Sequence, residues 1–180
     1  MRIGLIRHFP VEQPLPTGWN TAADLIDWLA RYDQSKAIVT EADLGGGGWQ
    51  ACLASDLPRA MFTAHTIYRG EIESCALLRE QGFAKFNTGN LRLPVWVWQW
   101  VVRAAWLTGH RSQRDSREEF LRRVLAAADR LCAQDCDTLV VSHAGMMAAL
   151  SAELRRRGFA GPKLRIAKHA TVYTYERGVG

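Results

Sequence analysis

Residues 1–10, MRIGLIRHFP, contain an apolar run that ends abruptly at an arginine and a histidine. The run from Ile3 to Ile6 predicts a short buried strand, and Pro10 cannot continue it because proline lacks a backbone N–H. Arg7 and His8 are therefore expected where the strand stops. Ligands of open parallel sheets bind outside the carboxyl ends of the strands, so a charged pair at this place could bind a ligand or react with it. A basic surface turn is the simpler interpretation, because two residues make a weak motif.

Two later segments repeat this arrangement. The apolar run from Leu139 to Val141 predicts a strand that stops at His143, with a helix beginning near Gly145. Residues 51–55, ACLAS, predict another buried strand, and Arg59 falls in the first turn of the helix that follows. Backbone N–H groups at a helix start bind anions, and arginine offers a planar fork that matches phosphate oxygens. Three strand ends thus supply two arginines and two histidines.

Strands and helices alternate along the chain. Amphipathic helices are expected over residues 21–32 and 116–133, and weaker strands over residues 37–39 and 72–77. This order predicts an α/β fold, a three-layer α/β/α sandwich around a mostly parallel central sheet. The 180 residues fit one domain, residues 1–180, that can bury a core without disulfides or metals.

Side chains that could cap the helices are present at three places. Asn20 or Thr21 can cap the first helix, and Asp56 is a plausible N-cap for the helix that carries Arg59. Ser116 and Glu119 have the spacing of a capping box for the helix over 116–133.

Composition and charge are those of an ordinary water-soluble protein, with 48% apolar and 23% charged residues. The apolar stretch before Arg7 is too short for a signal peptide, which predicts a cytoplasmic protein, and no membrane insertion is expected. The four cysteines form no CxxC pair and are expected to be reduced thiols. Gly45 to Gly48 lack the Lys and Ser/Thr that follow a phosphate loop, so this run predicts a surface turn.

The net charge of +5 invites a nucleic-acid interpretation. However, the densest basic cluster, Arg155 to Arg157, falls in the last turn of a predicted helix, where cations are favourable. A small phosphorylated substrate suits a modest positive charge equally well. We therefore expect a small-molecule partner and no nucleic acid.

Four motifs in order resemble those of the histidine phosphatase superfamily (branch 1), the group that includes cofactor-dependent phosphoglycerate mutase. Arg7 and His8 match the family's Arg-His-Gly. Glu80, in LLRE, matches its acid, and His143 matches the histidine of its Ser-His-x-Gly. Its Ser-x-x-x-Arg-Ala, with Thr-Ala following, is matched by Ser55, Arg59, Ala60, Thr63 and Ala64. The matches run from residue 3 to about residue 150.

The resemblance implies the phosphoglycerate mutase-like fold and a role for each residue. His8 would attack phosphorus and carry the phosphoryl group transiently. Arg7, Arg59 and His143 would bind the phosphate and lower the pKa of His8, so that no metal and no cofactor is needed. Glu80 would donate a proton to the leaving group. On position alone, other acids could take the role given to Glu80, namely Glu12, Asp56 and Glu71.

One departure concerns Phe9, which stands where the family has glycine. Its ring could make the substrate cleft of an active phosphatase narrower or more apolar. Alternatively, the chain could be a catalytically impaired module that only binds an anion. Because both histidines, both arginines and an acid are retained, we favour an enzyme. A mutase needs an enclosed second phosphate site, for which the short chain offers no evident residues, so the expected reaction is phosphomonoester hydrolysis, with a mutase-type phosphotransferase as the alternative.

The resemblance implies that substrate choice depends on the segment after the acid, here residues 81–115, a tryptophan-rich cap. The uncharged run from Leu93 to Val102 in this cap is about half the length needed to span a bilayer. In a helix starting at Pro94, Trp96 and Trp100 share one face, while Trp98 and Trp106 share another. One face would pack on the core, and Trp96 and Trp100 would line the cleft. Plain core packing is the alternative for all these rings.

Three more histidines, His65, His110 and His169, have no comparable context and are expected to be ordinary surface or core residues. His169, near the last strand, could rim the pocket.

Overall fold

A five-stranded sheet forms the centre of the computed structural model, which describes residues 1–81 and 88–178. Residues 82–87 of the predicted cap lie outside the described residues. The strands are β1 (Arg2–Arg7), β2 (Trp19–Asn20), β3 (Ala51–Ala54), β4 (Ile72–Ser74), β5 (Leu93–Pro94), β6 (Thr138–Ser142) and β7 (Val172–Glu176). The helices are α1 (Ala22–Asp33), α2 (Pro58–Ile67), α3 (Val95–Leu107), α4 (Arg114–Cys132) and α5 (Ala144–Arg156), with a 3₁₀ turn at Ala76–Leu78.

The central sheet has the order β4-β3-β6-β1-β7. The first four of these strands are parallel to one another, and β7 runs antiparallel to β1. Ile3 lies opposite Thr138 and Arg7 lies opposite Ser142, so β1 and β6 end level with each other. The predicted mostly parallel α/β sheet is therefore confirmed, and the carboxyl ends of β1, β3 and β6 meet at one edge.

Apolar side chains cover both faces of this sheet. On one face Leu5 and Val140 belong to a buried cluster with residues of α4 and α5, including Phe120 and Leu150. On the other face, Ile6 and Val141 pack with buried alanines of α2. Strands buried on both faces need helices on both faces, which gives the three layers that the sequence predicted.

Two predicted details of the strands and turns differ in the structure. Residues 37–39 form no strand, and Ala37 makes only an isolated bridge to Val11. The strand expected over 72–77 ends at Ser74, because a 3₁₀ turn takes over at Ala76. The run from Gly45 to Gly48 does turn the chain, and all four residues have positive φ, which glycine adopts without strain.

Helix caps agree with prediction at one helix and differ at two. Thr21 caps α1 in a capping box with Asp24. Asp56 does not cap α2, because its carboxylate takes two hydrogen bonds from Arg79 Nε at 2.7 and 3.0 Å. Helix α4 begins before Ser116, and its N-cap is Gln113, whose side chain makes no capping hydrogen bond.

Helix α3 is the described part of the tryptophan-rich cap. Its Trp98 is buried at 1% exposure and donates its indole N–H to Asn20 O at 2.7 Å. Trp106 packs edge-on against Phe120 of α4, with ring centroids 5.8 Å apart. Trp96 and Trp100 are 65% and 70% exposed. Within residues 1–81 and 88–178, no helix is long and apolar enough to cross a membrane.

Candidate active site

The three strand ends bring their polar residues together at one edge of the sheet. His8 directly follows β1, His143 follows β6, and Ser55 follows β3, while Arg59 lies in the first turn of α2. These four side chains are buried, each with 2% exposure or less. Buried polar groups require partners, so their hydrogen bonds define the site.

His8 is held as one tautomer. Its Nδ1 lies 2.6 Å from Phe9 O, and because a carbonyl oxygen only accepts, Nδ1 carries the proton and donates it. Nε2 therefore carries the electron pair of the neutral ring. Arg59 donates its Nε–H to this Nε2 at 3.3 Å. A neutral imidazole with an oriented lone pair is the form that attacks an electrophile.

The pKa of His8 is lowered from 6.5 to about 3. Burial is the largest cause, since it disfavours the charged ring, and the charge of Arg59 and the neighbourhood of His169 and Arg7 lower the pKa further. The hydrogen bond to the Phe9 carbonyl acts in the opposite direction. We expected the cations to keep this ring neutral, and the structure adds burial as the larger effect.

His143 lies beside His8, with ring centroids 5.1 Å apart. Its Nε2 is 2.8 Å from Ser55 Oγ, while its buried Nδ1 has no hydrogen-bond partner among the described residues. Burial first, and then the positive charge of Arg59, lower the pKa of His143 well below its ordinary value. The ring is therefore neutral and has one nitrogen free for a ligand oxygen.

The two arginines differ in how they are held. Arg7 donates Nη1–H to Ala167 O at 3.0 Å, and its buried Nε has no partner in the described part of the chain. Arg59 forms an ion pair with Asp33 at 2.9 Å, and its guanidinium lies 5.0 Å from the centre of the Tyr32 ring. Helix α1 thus positions Arg59 over His8, a contribution that the sequence analysis missed.

His169 also belongs to the site, which the sequence analysis allowed only as a rim position. Its Nδ1 donates to His8 O at 2.6 Å, and its ring stands edge-on to that of His8 at 5.2 Å. Burial lowers its pKa as well. The signal that could have located it is the antiparallel strand β7, which begins at the edge where β1 ends. His65 and His110, in contrast, are exposed.

Glu80 lies at the N-terminus of α5. Its carboxylate accepts backbone N–H groups from Gly145 and Met146, both at 3.2 Å. A Cβ at Gly145 would come within 2.6 Å of Glu80 Oε1, so glycine is required for this approach. The acid therefore lies next to the segment that carries His143. Of its rivals, Glu12 and Glu71 are exposed and Asp56 is paired with Arg79.

A cavity of about 1110 Å³ opens between α1, α3 and the start of α5. Trp100 lines it, together with Ala144 and Gly145, which follow His143. Phe9 and Trp96, which were expected in the cleft, are not among its lining residues. Phe9 is 1% exposed, so its ring is buried, and its backbone N–H donates to Thr63 Oγ1 at 2.9 Å. No group of three or more His, Cys, Asp or Glu in the described ranges could hold a metal ion.

Comparison with known protein families identifies the family of this chain. The family model of the histidine phosphatase superfamily (branch 1) matches residues 18–178. The chain belongs to the histidine phosphatase superfamily. The matched span includes Ser55, Arg59, Glu80 and His143. It begins after His8, so the position of His8 in the site rests on the geometry described above.

Solved structures of two phosphatases share the fold. An α-ribazole phosphatase from Shigella flexneri has a TM-score of 0.54 and 23% identity, covering 86% of this chain and 79% of its own. A mycobacterial glucosyl-3-phosphoglycerate phosphatase has a TM-score of 0.53 and 19% identity, with the same two coverages. At this identity the likeness shows the fold alone. The search of curated proteins finds no match.

Proposed function

We propose that this histidine phosphatase superfamily member is a phosphomonoester hydrolase that works through a phosphohistidine at His8. The observation that carries the proposal is the pair of contacts on one ring: Nδ1–H bound to the Phe9 carbonyl, and Nε2 facing the Arg59 guanidinium at 3.3 Å. A neutral, oriented nucleophile beside a fixed cation fits attack on a phosphate. The names of the two structural relatives, both phosphatases, support the same reaction class.

In the first step, Arg59 turns its Nε–H from His8 Nε2 to a phosphoryl oxygen. The released Nε2 electron pair forms a bond to phosphorus while the bond from phosphorus to the ester oxygen breaks. Glu80, in its protonated form, gives its proton to the departing alkoxide. Arg7, Arg59 and the free Nδ1 of His143 bind the equatorial phosphoryl oxygens, where charge accumulates. The products of this step are a free alcohol and phosphohistidine.

In the second step, water attacks phosphorus and gives a proton to Glu80, and the P–N bond electrons return to His8. Inorganic phosphate leaves and the enzyme is restored. In this scheme the arginines supply the positive charge that other phosphotransfer enzymes take from Mg²⁺, so we propose that neither metal nor cofactor takes part. The protein is proposed to act on a small phosphorylated substrate in the cytoplasm.

The test is hydrolysis of para-nitrophenyl phosphate by the purified protein, with and without EDTA. Activity should survive chelation, and His8→Ala should abolish it, while His65→Ala, which alters an exposed histidine of α2, should retain it. Rapid acid-free quenching with labelled substrate should place phosphate on His8. Loss of turnover on chelation, with recovery on adding a divalent metal, would contradict the proposal.

Two alternatives give different results in the same assays. A mutase-type phosphotransferase would pass the phosphoryl group from His8 to a second substrate molecule faster than to water. An impaired anion-binding module would show no turnover of any phosphoester, no phosphohistidine, and salt-dependent binding of an anionic partner.

A further inference from the structure

The cavity beside α5 has walls that suit an apolar ligand. Helix α1 contributes Leu25, Trp28 and Leu29, and α3 contributes Trp98, Trp100 and Trp106. Pockets for drug-sized ligands measure about 300–1,000 Å³, so a volume of about 1110 Å³ exceeds what a phosphate or a short alcohol needs. The aromatic walls therefore favour a ligand with a large apolar part.

Two chains of contacts connect this cavity to the reacting groups. Gly145 lines the cavity and donates its backbone N–H to Glu80, the proposed proton donor. On the other side, Trp28 lines the cavity and packs against Tyr32, with ring centroids 5.1 Å apart. The Tyr32 ring in turn lies under Arg59, which contacts His8. Two lining residues of the cavity thus touch residues of the site, Gly145 on the side of Glu80 and Trp28 on the side of Arg59.

The charged side chains that line the described part of the cavity are all positive. Arg103 and Arg165 are the charged side chains among its described lining residues, and no described acid lines it. Both arginines are exposed. An apolar pocket edged by two cations disfavours a ligand that carries its own positive charge and tolerates a neutral or anionic one.

We propose that this cavity holds the leaving group, and that the substrates are phosphomonoesters of large apolar alcohols that carry no positive charge. The inference rests on the proposed function, because it assigns the substrate class of the same site. The apolar part would lie between α1 and α3, and the phosphate would reach His8. Binding energy then increases with the apolar surface that enters the cavity.

The first test compares n-butyl phosphate with n-octyl phosphate, each below its aggregation concentration. Each methylene that enters the cavity should raise kcat/KM about fourfold, until the cavity is filled. A matched ester, 8-aminooctyl phosphate, should lose most of this gain, because its ammonium group would meet Arg103 and Arg165. Equal kcat/KM for butyl and octyl phosphate would overturn the proposal, and so would an aminooctyl ester as good as the octyl one.

A pair of tryptophan variants on α3 supplies a matched control. Trp100 lines the cavity and Trp96 does not, although both are about equally exposed, at 70% and 65%. Trp100→Ala should lower the ratio of kcat/KM for octyl phosphate to that for para-nitrophenyl phosphate about tenfold. Trp96→Ala should keep the wild-type ratio. A ratio that is unchanged in Trp100→Ala, or lowered equally in both variants, would overturn the pocket assignment.

Failure of this inference is distinguishable from failure of the proposed function. If para-nitrophenyl phosphate is hydrolysed through phosphohistidine but chain length has no effect, the hydrolase stands and the leaving-group pocket is wrong. If no phosphomonoester is hydrolysed and no phosphohistidine forms, both are wrong.

Discussion

Ser55 Oγ lies 2.8 Å from Nε2 of His143, so the serine that follows β3 orients the histidine that follows β6. When the Ser55 hydroxyl donates to Nε2, the proton of the neutral ring stays on Nδ1. That Nδ1 is buried and has no partner among the described residues. In the proposed mechanism, Ser55 therefore prepares His143 Nδ1–H as a hydrogen-bond donor for a phosphoryl oxygen.

We expect Ser55→Ala to lower kcat for para-nitrophenyl phosphate about tenfold, because a lost hydrogen bond to a buried group costs about 1–3 kcal/mol. The tautomer of His143 would then no longer be fixed. Steady-state kinetics of the purified variant test this. Ser151→Ala is the matched control, since Ser151 is equally buried but donates to Pro162 O away from the site. Equal kcat losses in both variants would mean that Ser55 is merely structural.

Burial of His8 predicts a specific loss of stability in acid. Its pKa in the folded protein is about 3, below the ordinary 6.5, so the unfolded chain binds a proton first as the pH falls. Stability from this group is complete above about pH 6.5 and decreases as the pH falls toward 3. Between pH 7.5 and 4.5 the wild type should lose about 2–3 kcal/mol more than His8→Asn, which has no group to titrate.

Urea unfolding of both proteins at the two pH values measures this difference. Several carboxylates also lose favourable contacts in acid, among them Glu153, whose pKa is lowered to about 2 by hydrogen bonds from Arg156 and Arg157. The variant contains these groups too, so they cancel in the comparison. His65→Asn, which alters an exposed histidine, should behave as the wild type. Parallel pH curves for the wild type and His8→Asn would show that His8 is not held neutral by burial.

Local sequence patterns predicted those parts of the site that depend on a strand followed by a polar residue. The run from Ile3 to Ile6 is buried and ends at His8 because apolar, β-branched residues suit a central strand. His169 was expected at most at the rim of the pocket and Asp33 was not assigned to the site, because each comes to it through pairing or packing of distant segments. The antiparallel pairing of β7 with β1 brings His169 to His8, and no short-range pattern encodes that pairing.

Competition for a hydrogen-bonding partner explains why Asp56 does not cap α2. Thr21 and Asp24 form their capping box as expected. Asp56 has the same capping chemistry, but Arg79 reaches it from 23 residues away and offers a charge-assisted pair. Local sequence also could not decide whether Trp96 lines the cleft. Helical spacing places Trp96 and Trp100 on one face, yet only tertiary packing decides which of them lies beside the cavity.

The ion pair between Asp33 and Arg59 is expected to weaken the binding of anions at the site. The Asp33 carboxylate forms an ion pair with Nη1 of Arg59 at 2.9 Å and is 47% exposed, so it competes with a phosphate for that guanidinium. Asp33→Asn should therefore lower the inhibition constant of inorganic phosphate about threefold, in keeping with the modest energy of a part-exposed ion pair. Asp27→Asn, on an exposed position of the same helix, should leave it unchanged. A raised inhibition constant in Asp33→Asn would instead show that Asp33 is needed to hold Arg59 in place.

Glu80 has two possible functions that substitution can separate. Its carboxylate binds the backbone N–H groups of Gly145 and Met146, an arrangement that also suits a purely structural cap, because anions stabilise a helix N-terminus. If Glu80 is the proton donor, Glu80→Gln should slow an alkyl phosphate by about 10² to 10⁴. It should slow para-nitrophenyl phosphate far less, since that leaving group needs little protonation. A structural cap alone would lower both rates equally, together with the melting temperature.

Gly145→Ala tests the same role while keeping the carboxylate. The new Cβ would lie within 2.6 Å of Glu80 Oε1, so the acid must move away from α5. We expect the same selectivity as in Glu80→Gln, with the alkyl phosphate slowed more than the aryl one, because a displaced acid no longer reaches the leaving oxygen. Gly158→Ala is the control for stability, since a Cβ there meets nothing within 4 Å and only its positive φ of 89° is strained. If Gly145→Ala slows both substrates in proportion to its loss of folded protein, as Gly158→Ala should, proton transfer belongs to another group.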